Sequence, residues 1–438
     1  MNLSLVEQIK SCANSDGLPI IPPDIWENMN ANHTKQEIKD ALAYYIVNYK
    51  PKFPFREIEE NTVVNKFAKF CKDDMSDFFF TTEQKSDVME KYDDYKYPYK
   101  DCGNGIIQFG HYYNDVSNFF QQHNRMSCGS YGFASPLEIW KDENLLKKMN
   151  YTFWRLGNKE VGLHNWRGSF RLGSYVATQF KPHVAKSIYE MTNAKVVMDT
   201  SCGWGDRLAG FYASNAEEFY GCDPNENVFE VYKKQCLWYE KQLGCDDPYV
   251  HETNNYFYCS GKKMVTLFRS PAEDVNWLAI CPPRGVDCMF TSPPYFSTEL
   301  YNKGGENEAD QSWSRYNEYD KWRDGFFFPM LNNVWPVIRE NGFVFINIMD
   351  PVIKGTRYRT CDELVDFMKE KHKANFMGQL GMRIKQRPKK MKTGLQDFLR
   401  GVFIENVWCF TKGDGRIEIP SEVATLDSIL GDDDELSE

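Results

Sequence analysis

The residues best suited to chemistry are a hydroxyl residue, two prolines and an aromatic residue in direct succession, Ser292-Pro293-Pro294-Tyr295, which follow a short apolar run. Each proline fixes its φ angle and lacks an N–H donor, so the pair ends a strand and stiffens the following turn. The Ser292 side chain and the Pro293 carbonyl can then accept hydrogen bonds from a planar amine, while Tyr295 offers a ring for stacking. Two acceptors on one NH₂ group localise the nitrogen lone pair and make it nucleophilic. The alternative is an ordinary strand end with a solvent-facing serine and a packed tyrosine.

Three other loops carry residue types that suit a nucleoside-bearing ligand. Gly203 and Gly205 follow a short β-branched run and precede an amphipathic segment, which allows a tight turn and close approach of a ligand. Asp223 ends a second run, about twenty residues later, where a carboxylate can accept hydrogen bonds from both hydroxyls of a ribose. Glu273 and Asp274 follow a third run and suit the reading of an adenine amino group. Alternatively, the glycines serve only a tight turn and each acid is a helix N-cap or a surface charge.

A parallel sheet would bring these loops together. From about residue 151 to residue 413, short β-rich runs alternate with helical segments, which predicts parallel strands with crossover helices. The carboxyl ends of consecutive parallel strands meet at one crevice, where open α/β sheets bind ligands. The predicted strands are the runs at 194–199 and 218–223, a run that starts near residue 267 and ends before Glu273, and the runs at 286–292 and 341–350, followed by a closing β-hairpin from the runs at 375–382 and 403–410.

The flanking segments differ in composition from this central part. Residues 1–150 mix predicted helices, at 34–49 and 62–74, with aromatic-rich irregular stretches, so we expect a mainly helical accessory or recognition domain. The central part, residues 151–413, is expected to be the catalytic domain. Residues 414–438 end in GDDDELSE and are predicted to form an acidic, mobile tail.

Composition limits the partners of the chain. The net charge of −10 over 438 residues gives no global positive field for nucleic acid or anionic membranes, although a local basic groove remains open. No apolar run approaches the roughly 20 residues that cross a bilayer, and no export signal opens the chain, so we expect a cytoplasmic, nucleoid or nuclear protein that is not secreted. Thirteen cysteines without a Cys-x-x-Cys pair are expected to be reduced, mostly buried thiols, and no metal site is predicted.

The motifs together resemble those of S-adenosylmethionine-dependent amino methyltransferases. DTSCGWGD (199–206) is similar to the first, glycine-containing motif of Rossmann-like methyltransferases, and TSPPY (291–295) is similar to the [Asp/Asn/Ser]-Pro-Pro-[Tyr/Phe] motif of enzymes that methylate exocyclic nitrogens of adenine or cytosine. The segment 177–191 is similar to the one that closes over the methionine part of the cofactor. The resemblance, over 173–412, implies a Rossmann-like α/β fold, with a mostly parallel seven-stranded sheet and a closing β-hairpin, and S-adenosyl-L-methionine as the cofactor.

The resemblance also implies roles for individual residues. It places the target base on the catalytic residues Ser292, Pro293, Pro294 and Tyr295. It implies cofactor binding by Phe180, Lys181, Pro182, Asp199, Ser201, Cys202, Gly203, Gly205, Asp223, Pro224, Glu273 and Asp274.

Two features depart from the usual family pattern. Thr200-Ser201-Cys202 replaces the aromatic opening of the glycine motif, and Arg207 is unusual. We expect Arg207 to pair with Asp206 or Asp223 as scaffolding, and the alternative is that it reaches the cofactor carboxylate. No Pro-Cys motif offers a cysteine nucleophile, so direct transfer of the methyl group is expected.

The expected function is DNA methylation on an exocyclic amine, with N4 of cytosine favoured over N6 of adenine because the motif begins with serine. The insertion at 296–325 is predicted to be a lid over a flipped base. The basic stretch at 383–394 is predicted to contact phosphates through Lys385, Arg387, Lys389 and Lys390, with a merely solvated loop as the alternative. Other functions left open are an RNA amino methyltransferase, including one for cap-adjacent adenosine, a related group transferase, and a non-catalytic binding subunit.

Overall fold

The computed structural model of the chain describes residues 2–74, 79–80, 95–98, 100–107, 113–305, 307–384 and 403–417. Its α-helices, in chain order, are α1 (Leu3–Ser11), α2 (Pro23–Asn32), α3 (Lys35–Tyr49), α4 (Glu60–Lys72), α5 (Asn114–Ser127), α6 (Pro136–Lys141), α7 (Glu143–Asn150), α8 (Thr152–Arg155), α9 (Leu163–Gly173), α10 (Pro182–Met191), α11 (Asp206–Ala213), α12 (Glu226–Gln242), α13 (Ser312–Arg315), α14 (Tyr319–Trp322), α15 (Phe328–Val334) and α16 (Thr360–Lys371). Short 3₁₀ helices cover Ala272–Asp274, Trp277–Ala279 and Trp335–Val337, and a π-helix covers Arg323–Phe327.

The strands, in chain order, are β1 (Phe79–Phe80), β2 (Asp101–Ile107), β3 (Val196–Asp199), β4 (Glu218–Cys222), β5 (Tyr249–Thr253), β6 (Tyr256–Ser260), β7 (Met264–Phe268), β8 (Val286–Thr291), β9 (Ile338–Asn347), β10 (Val352–Ile353), β11 (Thr356–Arg357), β12 (Asn375–Ile384) and β13 (Phe403–Thr411). Strands β10 and β11 form a small sheet of their own. The other eleven form one sheet in the order β1-β2-β12-β13-β9-β8-β3-β4-β7-β6-β5.

The centre of the large sheet is parallel. Strands β7, β4, β3, β8 and β9 are neighbours in that order and all run in the same direction. Strand β13 runs antiparallel between β9 and β12, as the second strand of the predicted closing hairpin. This seven-stranded centre confirms the predicted Rossmann-like α/β class, and each strand predicted from the sequence corresponds to one of its members.

The sheet extends beyond the predicted seven strands at both edges. Strands β5 and β6 form an antiparallel hairpin beside β7, and β1 with β2 continue the sheet beyond β12. All five residues of β5 are exposed, so the strand lacks the alternation of buried and exposed residues that marks a half-buried strand in a sequence.

Contact clustering divides the chain into two compact units. Unit 1 comprises 1–59, 122–178 and 299–308, and unit 2 comprises 60–121, 179–298 and 309–438. The core of unit 1 is helical and rich in tryptophan, with Trp26, Trp140 and Trp166 buried in it.

Two apolar clusters of unit 2 cover the two faces of the sheet. Along β3, Val197 belongs to one cluster whereas Val196 and Met198 belong to the other, as expected from the two-residue period of a strand. Alternation of this kind is what buries both faces of a parallel sheet.

The two units differ from the predicted division at residue 150. Phe67 and Phe70 of α4 are buried in the core of unit 2, beside Tyr113 and Tyr212. Helical periodicity identifies α4 as a helix but does not tell which core it joins, so the sequence assigned it to the amino-terminal domain. Of the predicted tail, residues 418–438 lie outside the described residues. Among the helices that the structure describes, none combines the length and apolar character needed to cross a bilayer.

Candidate active site

The glycine loop, residues 200–205, connects β3 to α11. Gly203 and Gly205 have φ angles of 56° and 72°, in the left-handed region that glycine enters without steric cost. A Cβ atom on Gly205 would lie 2.5 Å from Oε1 of Gln235, whereas the nearest atom to a Cβ on Gly203 would be the Ser201 carbonyl oxygen at 3.8 Å. A Cβ at position 205 would therefore displace the buried Gln235 amide, whereas a Cβ at position 203 would make only an ordinary van der Waals contact.

A buried ion pair holds the glycine loop from below. The Arg207 Nε atom donates to Asp199 Oδ2 at 2.8 Å, and the two side chains are 4% and 0% exposed. Arg207 also donates to the Ser201 carbonyl and lies over the ring of Phe180, 4.9 Å from its centre. The predicted pairing of Arg207 with Asp206 or Asp223 was wrong, since the partner is Asp199.

The Asp199 carboxylate accepts three hydrogen bonds from the described residues. Its Oδ1 atom accepts hydrogen bonds from the Thr291 hydroxyl at 3.0 Å and from the Ser201 N–H at 3.1 Å, while Oδ2 accepts from Arg207. Thr291 is the last residue of β8, so Asp199 connects the ends of two adjacent strands. The structure thus places Asp199 in a buried position beneath the glycine loop.

Asp223 lies at the end of β4, beside the glycine loop. Its Oδ2 atom accepts from the Gly203 N–H at 2.9 Å, and Oδ1 accepts from the Asn225 N–H at 3.0 Å. Burial raises the pKa of Asp223 to about 6, although both backbone hydrogen bonds lower it. Each carboxylate oxygen has a second lone pair, so Asp223 can still accept hydrogen bonds from a diol.

The third acidic position is tied to the insertion that follows the catalytic motif. Glu273 is 4% exposed in its side chain and accepts through Oε1 from Arg315 Nη1 at 2.7 Å and from the Tyr316 hydroxyl at 3.1 Å. Arg315 also pairs with Asp274 at 3.1 Å. The second oxygen of Glu273, Oε2, is buried and has no hydrogen-bond partner among the described residues. Burial raises the pKa of Glu273.

The Ser-Pro-Pro-Tyr turn, residues 292–295, follows β8 directly. The Ser292 Oγ and the Tyr295 hydroxyl both donate to Asn347 Oδ1, at 3.2 and 3.1 Å. Asn347 is 1% exposed and ends the neighbouring strand β9. Within the described part of the chain, no donor bonds to the Pro293 carbonyl oxygen. The turn therefore presents a serine oxygen and a carbonyl oxygen as acceptors.

Phe296 closes this turn in an uncommon conformation. Its φ angle is 50°, in the left-handed region that a non-glycine residue seldom adopts, and its N–H donates to the Pro294 carbonyl at 2.9 Å. The ring is 6% exposed and packs edge-on against Tyr319 and tilted against Trp322, with ring centres 5.8 and 5.9 Å away. This part of the predicted lid, at α14, is therefore packed in a core.

A model of the DNA methylase family of N6 and N4 methyltransferases matches residues 286–420. The match begins at β8 and includes the Ser-Pro-Pro-Tyr turn. Residues 286–420 are therefore similar to the N6/N4 amino methyltransferases. This match supports methyl transfer as the reaction and S-adenosyl-L-methionine as the cofactor.

Several solved structures match part of the chain at low similarity. TrmN from Thermus thermophilus is 11% identical over 53% of this chain and 48% of its own, with a TM-score of 0.30. Trm1 from Pyrococcus horikoshii in complex with S-adenosyl-L-methionine is 14% identical over 54% and 57%, with a TM-score of 0.31. This chain thus covers about half of TrmN. Such TM-scores support no functional conclusion, and no curated protein matches the chain.

The other residues predicted for the cofactor fall into two groups. Phe180, Ser201 and Pro224 are partly exposed, beside the glycine loop or beside Asp223. Lys181, Pro182 and Cys202 are buried, with Pro182 at the first turn of α10 and Cys202 in the core of unit 2. Cys202 therefore contributes packing through its side chain. The predicted phosphate contacts Lys385, Arg387, Lys389 and Lys390 lie outside the described residues.

The cysteines near the loops do not suit nucleophilic catalysis. Burial raises the pKa of the Cys202 thiol well above its ordinary value, and nearby carboxylates raise it further. Burial likewise raises the pKa of Cys281 to about 12 and that of Cys288 further. Since the thiolate is the nucleophilic form, these protonated thiols agree with direct transfer of the methyl group.

Sequence reasoning missed two residues of the site. Asn347 is a polar residue inside the apolar run FVFINIMD, and such an interruption is a usable sign of a buried hydrogen-bonding role. Arg315 lies in a polar insertion with many charges, and nothing in the sequence distinguishes it from its neighbours.

Proposed function

We propose that this chain is a DNA methyltransferase that transfers the methyl group of S-adenosyl-L-methionine to an exocyclic base amine, with N4 of cytosine favoured over N6 of adenine. The observation that carries the proposal is the pair of acceptors at Ser292 and Pro293, in a region that matches the DNA methylase family. The preference for cytosine rests on the serine at the first position of the motif.

The crevice residues fit the proposed cofactor. A Cβ on Gly203 would make only an ordinary van der Waals contact, so a ligand can approach the backbone there, and Asp223 keeps lone pairs for the ribose hydroxyls. The buried Oε2 atom of Glu273, which has no partner among the described residues, suits the amino group of adenine. Phe180, whose ring contacts Arg207, and Ser201, in the glycine loop, are assigned to the methionine part.

The target amine would react between the two acceptors. Its two N–H groups donate to Ser292 Oγ and to the Pro293 carbonyl, which localises the nitrogen lone pair. The cofactor supplies a methyl group that is already activated by its sulfonium, so the protein needs mainly to position the nucleophile. The nitrogen would form a bond to the methyl carbon, the electrons of the broken S–C bond would stay on sulfur, and the nitrogen would release one proton to solvent. The Tyr295 ring replaces part of the stacking that a flipped base loses.

The test is to identify the methylated nucleoside. The chain is incubated with S-adenosyl-L-methionine labelled in the methyl group and with duplex DNA, single-stranded DNA or RNA, and each polymer is digested to nucleosides. We expect labelled N4-methylcytosine from DNA. If N6-methyladenine appeared in DNA instead, methylation of an exocyclic amine in DNA would stand and the preference for cytosine would be overturned. Label in RNA alone, or in no exocyclic amine, would overturn the proposal.

A matched pair of serine variants tests the site. Ser292→Ala removes one of the two acceptors and should lower kcat about a hundredfold, with little change in cofactor affinity. Ser11→Ala is the control, because Ser11 is an exposed residue of α1 whose hydroxyl donates to the Gln8 carbonyl, so it should leave kcat unchanged. Equal activity of the two variants would exclude Ser292 from the reaction.

A further inference from the structure

A buried amide connects the catalytic turn to the next two strands of the sheet. Asn347 ends β9, and its Oδ1 atom receives the hydroxyls of Ser292 and Tyr295. Its Nδ2 atom donates to the backbone carbonyl of Asn406, in β13, at 3.2 Å. The amide therefore bonds to both sides of its own strand, toward β8 and toward β13.

This arrangement fixes the direction of each hydrogen bond. A backbone carbonyl can only accept, so the NH₂ group of Asn347 must face Asn406. The oxygen of the amide then faces the two hydroxyls, and because an amide oxygen can only accept, both hydroxyls must donate to it. Each hydroxyl has a single proton, so the Ser292 and Tyr295 oxygens keep only lone pairs for any other group.

We propose that Asn347 is a positioning residue that holds the Ser292 hydroxyl as a pure acceptor toward the target amine. The inference rests on the proposed function. A serine hydroxyl could otherwise donate a hydrogen bond to the lone pair of the amine nitrogen and so make that nitrogen less nucleophilic. Because Asn347 accepts the hydroxyl proton, the Ser292 oxygen can only accept a hydrogen bond from the amine of the nucleobase. Because β13 supplies the carbonyl of Asn406, the closing hairpin sets the direction of the amide and so has a part in the chemistry of the turn.

A purely structural role for Asn347 makes a different prediction. A buried amide that only stabilises the strand ends would, when removed, lower activity by the same factor whether or not Ser292 and Tyr295 carry hydroxyls. A residue that acts through these hydroxyls should lose its effect once they are gone.

The experiment is a double-mutant cycle on kcat. Asn347→Leu keeps the size of the side chain and removes both its donor and its acceptor. In the otherwise unchanged chain it should lower kcat about tenfold to a hundredfold, with the KM for S-adenosyl-L-methionine unchanged. In a chain that already carries Ser292→Ala and Tyr295→Phe, the same substitution should change kcat less than about twofold.

Asn150→Leu is the matched control. Asn150 is 0% exposed and lies in α7 of unit 1, and its amide has no hydrogen-bond partner among the described residues, so the change should not affect kcat. Thermal unfolding of all variants checks that each one folds, and a coupling in stability between Asn347→Leu and the two hydroxyl variants would show that the contact exists.

The outcomes separate the inference from the function on which it rests. If the unmodified chain methylates a base amine and Asn347→Leu retains kcat, or lowers it equally in both backgrounds, the positioning role is overturned and the proposed function stands. If the unmodified chain methylates no base amine, the proposed function fails and the inference falls with it.

Discussion

The glycine loop and the Ser-Pro-Pro-Tyr turn lie at the ends of adjacent strands, β3 and β8, yet they are held in opposite ways. Beneath the glycine loop, Asp199 and Arg207 form a closed and buried network of charges. The turn is held by one neutral amide, that of Asn347, and the Pro293 carbonyl has no donor within the described residues. A loop that is proposed to line a pocket can satisfy its polar groups internally, whereas a turn that is proposed to receive hydrogen bonds from a base has to keep acceptors available.

The largest effect should come from breaking the buried ion pair. Arg207→Met leaves the Asp199 carboxylate buried without its partner and should lower the free energy of unfolding by about 3–5 kcal/mol. Urea unfolding measures the change. The control is Lys321→Gln, which removes an exposed ion pair with Glu318 and should cost less than about 1 kcal/mol. Equal costs would mean that the charges do not hold the loop.

The two glycines of the loop should respond differently to alanine. Gly205→Ala adds left-handed backbone strain of about 1–2 kcal/mol and a clash with Gln235, so it should destabilise the chain by more than that strain alone. Gly203→Ala should cost only the strain, while its methyl group enters the proposed cofactor space and weakens cofactor binding. Unfolding and calorimetric binding measurements distinguish the two. If Gly205→Ala lost more cofactor binding than Gly203→Ala, the proposed position of the cofactor over Gly203 would be contradicted.

Cofactor affinity should depend on pH through Asp223. Because burial raises its pKa to about 6, lowering the pH from 7.5 to 5 protonates the carboxylate and removes a charged acceptor, which should weaken binding about tenfold. Titration calorimetry across this range tests the effect, and Asp223→Asn should bind weakly with no such dependence. If the cofactor affinity of the unmodified chain did not change with pH, Asp223 would not be a cofactor-binding residue.

The raised pKa of Asp223 makes the stability of the fold depend on pH in the opposite direction to cofactor binding. The folded state holds the Asp223 proton more tightly than the unfolded chain does. Protonation of this group therefore favours folding increasingly as the pH falls from about 6 toward the ordinary pKa of an aspartate. Weaker binding at pH 5 therefore cannot be attributed to unfolding caused by Asp223.

The smallest effect is expected for the tyrosine hydroxyl of the turn. Tyr295→Phe keeps the ring that is proposed to stack on the base and removes one hydrogen bond to Asn347. It should change the free energy of unfolding by about 1 kcal/mol or less and leave kcat within about threefold. A loss as large as that of Ser292→Ala would mean that the phenol itself takes part in the reaction.

The sequence predicted the centre of the fold well because β-branched runs alternate with helices there. The strands ending at Asp199, Cys222 and Thr291 were each recognised from an apolar run followed by a polar or glycine-containing loop. The exposed strand β5 gave no such pattern. The membership of α4 in unit 2 depends on long-range packing of Phe67, which a local pattern does not contain.

For the site, residue types were easier to predict than partners. Gly203, Asp223 and Ser292 follow their predicted strands, and their roles stay predictions. Arg207 was recognised as scaffolding, but its partner Asp199 could not be chosen from three nearby carboxylates without the direction of each side chain. Asn347 is far along the chain from Ser292, and only the pairing of β8 with β9 makes them neighbours.

The left-handed backbone conformation of Phe296, directly after the Ser-Pro-Pro-Tyr turn, has a consequence for protein engineering. Phe296 holds its backbone conformation while its ring is packed against Tyr319 and Trp322, residues of the downstream insertion. If another enzyme's insertion replaced this one, the Phe296 ring would lose its packing against Tyr319 and Trp322. The turn would then be expected to shift, and the acceptor oxygens of Ser292 and Pro293 would shift with it. The insertion and the turn should therefore be exchanged together, as a single cassette, in any redesign of substrate choice.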